Sequence, residues 1–474
     1  MNIGVNEMDY DVLILGGGII GCSVAYELSK YNLNIALIEK DFDIVDDIAF
    51  VNTSVVYDGS ETSDSSMASL EEKGSKLIEE ACKKFKVPYR KIGALRVYDD
   101  DNINKIEAIY NRAKKRNIDK VELLNEEDVL KIEPNIGMNI NKALYSENVA
   151  IIAPYDLSIA YAEVAAENGV NFRFEEEVID ISNINKGFKV ITSKNKFTCR
   201  VVINTIANDV YLQDDTNKSM DESKSLTLKN MSYYLIDNTI KNVPNKVVIK
   251  VLNDKSFIVS IPDLSSGSII GIKNPTAVNI EEGIKYGKML IPNIEKCNVN
   301  NIFSDVYEKD SIVIDDSNLD KGYIRVTGTH YAKMTVAPVI AQRISNSIAK
   351  NLKATEKKEF IDKRREIYRF RDMTVKERNE LISVDKRYGN IVCACNNITE
   401  GEIIDAIRRP LGARTVQGIK RRTGAANGSC HGSYCVRKII NILSREMDKK
   451  TIEIVEDSKN SKIWISRIKE FDEV

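Results

Sequence analysis

Three glycines do most to limit how this chain can fold. Gly16, Gly18 and Gly21 fit the pattern G-x-G-x-x-G, directly after an apolar run, Tyr10 to Leu15 (YDVLIL), that reads as a buried strand. A helical pattern follows from Cys22 to Lys30, and Asn34 to Glu39 (NIALIE) reads as a second strand. Strand, glycine turn, helix and strand within about 30 residues open a doubly wound α/β domain. The first glycine permits a tight turn, the second lets the backbone approach a pyrophosphate, and the third lets helix and strand pack closely. The helix presents unpaired N–H groups and the positive end of its dipole to the anion. Glu39 lies 18 residues after Gly21. An acid there accepts hydrogen bonds from a ribose and disfavours a 2′-phosphate. The pattern predicts a dinucleotide site, without separating FAD from NAD; the plainer alternative is a tight turn with no ligand.

Four of the eight cysteines fall near the C-terminal end. Cys393 and Cys395 form C-x-C, and Cys430 and Cys435 form C-x4-C, with 34 residues between the pairs. Four thiolates on loops suit a metal or a [2Fe–2S] cluster. Structural zinc more often shows C-x2-C pairs, so zinc and unliganded thiols are the lesser readings. The small residues before Cys430, TGAANGS, let backbone N–H groups approach cluster sulfurs. From Tyr388 to Met447 nine Lys and Arg stand against four acids, led by Arg408, Arg409, Arg414, Lys420, Arg421 and Arg422. They form either a solvated face that offsets an anionic cluster or a docking surface for an acidic redox partner.

Composition narrows the rest. The 474 residues carry 68 Lys and Arg against 70 Asp and Glu, which argues against a dedicated nucleic-acid binder. The longest apolar stretch, Val12 to Tyr26, is broken by glycines and too short to span a bilayer. With no secretory pattern at the N-terminus, a cytoplasmic location is expected. Asp41 to Ser69 reads as a long loop and Leu70 to Phe85 as a helix. Ser232 to Ile272 reads as an antiparallel sheet, and Lys357 to Arg387 as charged surface helix and linker.

The stretches DYDVLILGGGIIGCSVAYELS, PYDLSIAYAEVAAENGVNFRFEEEVIDI (Pro154 to Ile181), VVINTIAND (Val201 to Asp209) and VTGTHYAKMTVAPVIA (Val326 to Ala341) resemble FAD-dependent oxidoreductases of the D-amino-acid oxidase and glycerol-3-phosphate dehydrogenase type. NIVCACNNITEGEIIDAIRRPLGARTVQGIKRRTGAANGSCHGSYC is similar, over its whole length, to the bacterioferritin-associated ferredoxin type of [2Fe–2S] domain. The order of the two resembles anaerobic glycerol-3-phosphate dehydrogenase large subunits.

The resemblance implies a Rossmann-like FAD-binding domain with an antiparallel β-rich cap, over 1–385. FAD-binding parts fall at about 1–70, 150–215 and 320–352. A small helical [2Fe–2S] domain at 386–447 and a charged tail at 448–474 follow. It also implies FAD contacts at Val178, Gly328, Met334 and Thr335 beside Gly16, Gly18, Gly21 and Glu39, and cluster ligation by Cys393, Cys395, Cys430 and Cys435. His330, in the turn beside the flavin, is a candidate base; Lys333 and Tyr307 are candidate substrate contacts, and His431 orders its loop. The expected activity is oxidation of a small hydroxy or amino substrate, of the glycerol 3-phosphate or 2-hydroxy acid class. Electrons would pass through the cluster to a redox protein partner or second subunit.

The chain departs from the family in three places. Asp46 to Ser60 has one glycine and no basic residue. Tyr307 stands where the family has a substrate-gripping Arg, and Ala332-Lys333 replaces Pro-Gly. These changes keep open a non-catalytic electron-transfer or scaffold subunit, and more remotely an iron–sulfur sensor.

Overall fold

The computed structural model describes residues 8–45, 54–98, 103–138, 140–206, 229–237, 239–253, 255–264, 267–307, 312–328 and 330–464. Its organising element is the strand Tyr10–Leu15. It pairs in parallel with Ile35–Ile38 on one side and Lys196–Asn204 on the other. Val12, Leu13, Ile14 and Leu15 are fully buried. An unbroken apolar run is what a parallel strand covered on both faces requires. Asn171–Arg173 extends this sheet beyond Ile35–Ile38, and Tyr323–Thr327 extends it beyond Lys196–Asn204.

The helices Ile19–Leu28, Pro154–Glu167 and Lys333–Leu352 share one core with this sheet. Val178, Ile181, Phe188 and Val190, from two antiparallel strands, cover its other face. The helix expected from Leu70 begins earlier, at Ser65, because Asp64 caps it by accepting the Met67 N–H at 2.8 Å.

The cap is an eight-stranded sheet, running Val299–Tyr307, Lys229–Ile236, Ser268–Asn274, Ser256–Pro262, Val247–Asn253, Ala94–Tyr98, Lys142–Ser146 and Val121–Asn125. It is antiparallel as expected except at one seam, where Val247–Asn253 runs parallel to Ala94–Tyr98. A much earlier segment supplies that neighbour, and so long a connection can bring it in either direction.

The cysteine-bearing part has its own core, from the helices Glu400–Arg408, Val416–Thr423 and Val436–Met447. The segment read as a charged tail joins it. Ile454 and Val455 are buried, and Val416 N and Gln417 N donate to Val455 O and Glu456 O.

The segment expected to be surface linker is partly buried. Arg364 is 7% exposed and donates to Glu163 Oε2 at 2.7 Å and Asp156 Oδ1 at 2.6 Å. Arg409, from the cysteine-bearing part, donates to Glu163 Oε1 at 2.6 Å, and Arg369 to Asp156 Oδ2 at 2.5 Å. Burial opposes ionisation of Glu163, but Arg364 and Arg409 outweigh it and hold its carboxyl below the usual range. Glu163→Ala leaves two buried guanidinium groups short of their counter-ion, so it should cost about 3–5 kcal/mol in urea unfolding. The pair's contribution is full above the ordinary Glu pKa of about 4.3 and is lost as pH falls below it. Wild-type stability should therefore fall more steeply than the variant's under acid titration, and parallel curves would contradict the assignment.

Candidate functional site

The glycine turn has the shape a dinucleotide needs. Gly16 has φ +98°, in the left-handed region that favours glycine. A Cβ on Gly21 would lie 2.0 Å from Gly16 O, so the third glycine is required by packing. A Cβ on Gly18 would meet no atom within 4 Å. The space beside the second glycine is therefore open, at the start of a helix with no side-chain cap. That open cradle fits a pyrophosphate. Thr205 closes it from behind, donating from Oγ1 to Leu15 O at 2.8 Å.

Glu39 stands at the end of the second strand, where its Oε2 accepts the Gly17 N–H at 2.7 Å. Burial pushes its carboxyl up, against the lowering effect of the Gly17 and Asp41 N–H groups. The backbone 173–176 runs alongside it, with Glu39 N donating to Arg173 O and Glu176 N to Glu39 O. Val178 follows, 6% exposed, at the start of its strand. Glu39 and Val178, expected at the ribose and the adenine, thus lie on neighbouring backbone.

The third segment expected to meet FAD comes from the other end of the chain. Gly328 has φ +87°. Met334 and Thr335 are fully buried, and Thr335 Oγ1 accepts the Tyr57 N–H at 3.1 Å. Their side chains are thus committed to the protein; their helix start carries no side-chain cap. Lys333 opens that helix, with its N–H donating to His330 O. Tyr307 ends the edge strand of the cap, paired through its backbone with Lys229; its side chain lies outside the described residues, as do 46–53 and 207–209.

His330 is buried, with its ring 4.2 Å from that of Tyr331. Its Nδ1 accepts the Ala332 N–H at 3.1 Å. A neutral imidazole bonded this way carries its proton on Nε2 and offers a donor there.

Beside it lies a group that sequence reasoning missed. Tyr331 OH and Thr62 Oγ1 are 2.5 Å apart, and Thr62 Oγ1 lies 2.8 and 2.9 Å from the two Glu71 oxygens. Glu71 is 1% exposed, and burial pushes its carboxyl up to about 8 despite the Thr62 bonds. Glu61, Asp58, Arg116, Tyr331 and His330 face it. In sequence Glu71 sits in a helix rich in Glu and Lys, where an acid reads as solvated.

A cavity of about 260 Å³ opens from Tyr331 and Tyr57 toward the cap sheet. Arg96, Lys105, Lys255 and Lys273 line it, against one carboxylate, Glu61, which pairs with Arg96. Lys273 lies just beyond the stretch read as an antiparallel sheet, and nothing in that reading marked it or Arg96.

The four cysteines are gathered as two pairs. Cys395 lies within hydrogen-bonding reach of Cys430, and Cys435 of Cys393. Two thiols for each of two irons is the ligand set of a [2Fe–2S] cluster, and the pairs fit it. Burial opposes ionisation of Cys430, but the Cys395 thiol and the N–H groups of Gly432, Ser433 and Tyr434 outweigh it and lower its pKa. Such N–H donors stabilise cluster sulfurs. A Cβ on Gly428 would come 2.4 Å from Cys395 Cβ, which explains the glycine two residues before Cys430.

The basic residues of this part find their acids mostly within the chain. Arg408 pairs with Glu446, Arg409 with Glu163, Lys420 with Glu456, Arg421 with Asp457 and Arg422 with Asp43. Two of them, Arg409 and Arg422, hold this part to the nucleotide domain, while Arg408 and Arg414 stay on the surface.

Gly18→Val should abolish FAD binding while leaving thermal stability and iron content near wild type, because the new side chain enters space the protein does not fill. Retained flavin absorbance would contradict the cradle. Glu71→Gln should flatten stability against pH. Wild type loses stability as pH rises from about 4.5 toward about 8, because the folded state holds a proton that the unfolded state releases. Equal slopes in urea unfolding across that range would contradict the assignment.

The comparisons agree with this geometry. Residues 11–346 match the family model "FAD dependent oxidoreductase", and residues 391–445 match "BFD-like [2Fe-2S] binding domain". The chain is 34% identical to a glycerol 3-phosphate dehydrogenase of Caloramator mitchellensis, over 96% of this chain and 98% of that protein. It is 26% identical to a glycerol 3-phosphate oxidase of Mycoplasma pneumoniae, over 73% of this chain and 96% of that protein. In fold it is similar to the FAD-bound L-α-glycerophosphate oxidase of Mycoplasma pneumoniae, with TM-score 0.64 and 22% identity over 76% of this chain and 99% of that one. Glycine oxidase of Geobacillus kaustophilus follows with TM-score 0.61 and 17% identity, over 75% and 97%. The chain belongs to the FAD-dependent oxidoreductase family and carries, beyond its flavin domain, a BFD-like [2Fe-2S] binding domain.

Proposed function

We propose that the protein oxidises the secondary hydroxyl of a small phosphorylated polyol, glycerol 3-phosphate or a close relative, and that the electrons leave through the [2Fe–2S] cluster to a partner protein in the cytoplasm. The observation that carries this reading is the cationic cavity. Arg96, Lys105, Lys255 and Lys273 meet there beside the turn that the resemblance places next to the flavin. Strong positive charge around a small space favours a phosphate over a neutral or amino substrate. The dehydrogenase and the oxidase of glycerol 3-phosphate among the relatives support the same class.

FAD supplies a hydride acceptor and the [2Fe–2S] cluster a one-electron carrier. The chain's own work is to hold the phosphate, orient the hydroxyl and take its proton. Lys255 and Lys273 bind the phosphate. His330, with its proton on Nε2, donates to the substrate oxygen rather than acting as its base. The hydroxyl proton passes to Tyr331, whose own proton moves through Thr62 to Glu71. The hydrogen-bonded chain of these three side chains is continuous.

Electron exit is supported by the exposed corner of the cluster site. Cys395 is exposed there, Tyr434 is 79% exposed, and Arg437 and Lys438 are exposed on the following helix. No helix of the described residues is long and apolar enough to cross a membrane.

Anaerobic stopped-flow tests the reading. Glycerol 3-phosphate should bleach the flavin, whereas glycerol, 2-hydroxy acids and amino acids should not. Lys273→Met and Lys255→Met should each raise the half-saturating concentration roughly tenfold, the loss expected for a charge-assisted bond. The bleaching rate should rise with pH through about 8 as Glu71 ionises. Glu71→Gln should abolish that rise and slow bleaching by roughly 10²-fold or more. Bleaching by an amino acid, or none by any compound, would overturn the reading, the latter in favour of a subunit without substrate chemistry.

A further inference from the structure

The segment that follows the ribose acid is held by the iron–sulfur domain. Asp43 lies four residues after Glu39 and is 3% exposed. Arg422, on the helix Val416–Thr423, grips it with both ends of its guanidinium: Nη1 donates to Oδ2 at 2.5 Å and Nη2 to Oδ1 at 2.7 Å. The same two nitrogens donate to Gly418 O at 3.1 Å and Leu411 O at 2.7 Å, so the fork is fixed from its own domain. A bidentate, buried arginine–carboxylate pair fixes orientation as well as distance.

Two further observations show how tightly this contact is set. A Cβ on Gly418 would lie 2.9 Å from Asp43 Oδ2, so the helix carries glycine, its poorest residue but proline, where Asp43 approaches. Val45 stands at φ +62°, a conformation rare for a β-branched residue, with its N–H donating to Gly17 O at 3.0 Å. Backbone held in such a state needs its surroundings to impose it. Asp43 thus belongs to a short strap, 41–45. One end meets Glu39 through the Asp41 N–H, and the other meets the middle of the glycine turn.

We infer that Arg422, from the iron–sulfur domain, is a positioning residue for the FAD site: through Asp43 it holds the strap that shapes the ribose and pyrophosphate cradle. The two cofactor sites are then energetically linked, and by reciprocity whatever fills the cradle also steadies the helix that leads into the cluster loop.

The test is FAD dissociation from the full-length holoprotein, followed by the recovery of flavin fluorescence. Arg422→Met and Asp43→Asn should each raise the dissociation constant at least tenfold. Arg422→Lys, which keeps charge but loses the fork, should fall between. Lys420→Met, which removes a pair with Glu456 on the same helix, should leave it unchanged. ADP should show the same weakening as FAD, because the strap touches only that half. An unchanged constant in Arg422→Met, or weakening by Asp43→Asn alone, overturns the inference. Should the variants fail to fold, hydrogen exchange on wild type decides. Adding ADP to the FAD-depleted full chain should slow exchange of the 416–423 amides, and no change there would refute the link.

Discussion

Two buried carboxylates, Glu163 and Asp156, hold the molecule together at its centre. Both stand on the helix Pro154–Glu167, packed against the parallel sheet, and they take up arginines from two different regions. Arg364 and Arg369 come from the connecting segment, and Arg409 from the iron–sulfur domain. An unpaired charge at this depth is so unfavourable that each group depends on the others being in place. The connecting segment therefore fixes where the second domain sits. With that placement given, the helix Val416–Thr423 meets the strap 41–45, and the cluster loop follows directly from its end.

The catalytic half is arranged on a different principle. Its charges are drawn from distant parts of the chain, and among the groups lining the cavity Glu61 pairs with Arg96. Glu71 is buried and protonated near neutrality, linked through Thr62 to Tyr331 at the cavity wall. The lysines line the same cavity: Lys273 on a cap strand, Lys255 in the turn between two cap strands, and Lys105 on the helix Ile103–Lys115. On the proposed reading, a phosphate held by these lysines would present its neighbouring hydroxyl to Tyr331 and His330. Binding and proton removal would then fall to different groups, and a substrate would need to engage both, which disfavours compounds lacking either group.

Much of the architecture was legible in the sequence, for local reasons. The glycine turn needs a positive φ at Gly16 and backbone contact at Gly21, which only glycine satisfies. The cysteine spacing places four thiols through one compact fold, and both patterns survive without knowledge of distant contacts. The cavity and the junction were not legible. Arg96 and Lys273 are far apart in sequence and meet only through the register of an eight-stranded sheet. Glu71 and Arg364 sit in charged stretches, where burial has no local signature. Arg422 read as one of a basic cluster, because its partner, Asp43, belongs to the other domain. Nothing in the sequence distinguished a donor role for His330 from that of a base, because the distinction depends on the Ala332 N–H that its Nδ1 accepts in the folded turn.

The central claim is that substrate oxidation at the flavin and the [2Fe–2S] cluster form one electron path. Freeze-quenched electron paramagnetic resonance of the anaerobic holoprotein, after addition of glycerol 3-phosphate, tests it directly. The account predicts that flavin bleaching is accompanied by the signal of the reduced cluster, within the same turnover. A bleached flavin beside a cluster that stays oxidised until dithionite is added would contradict it.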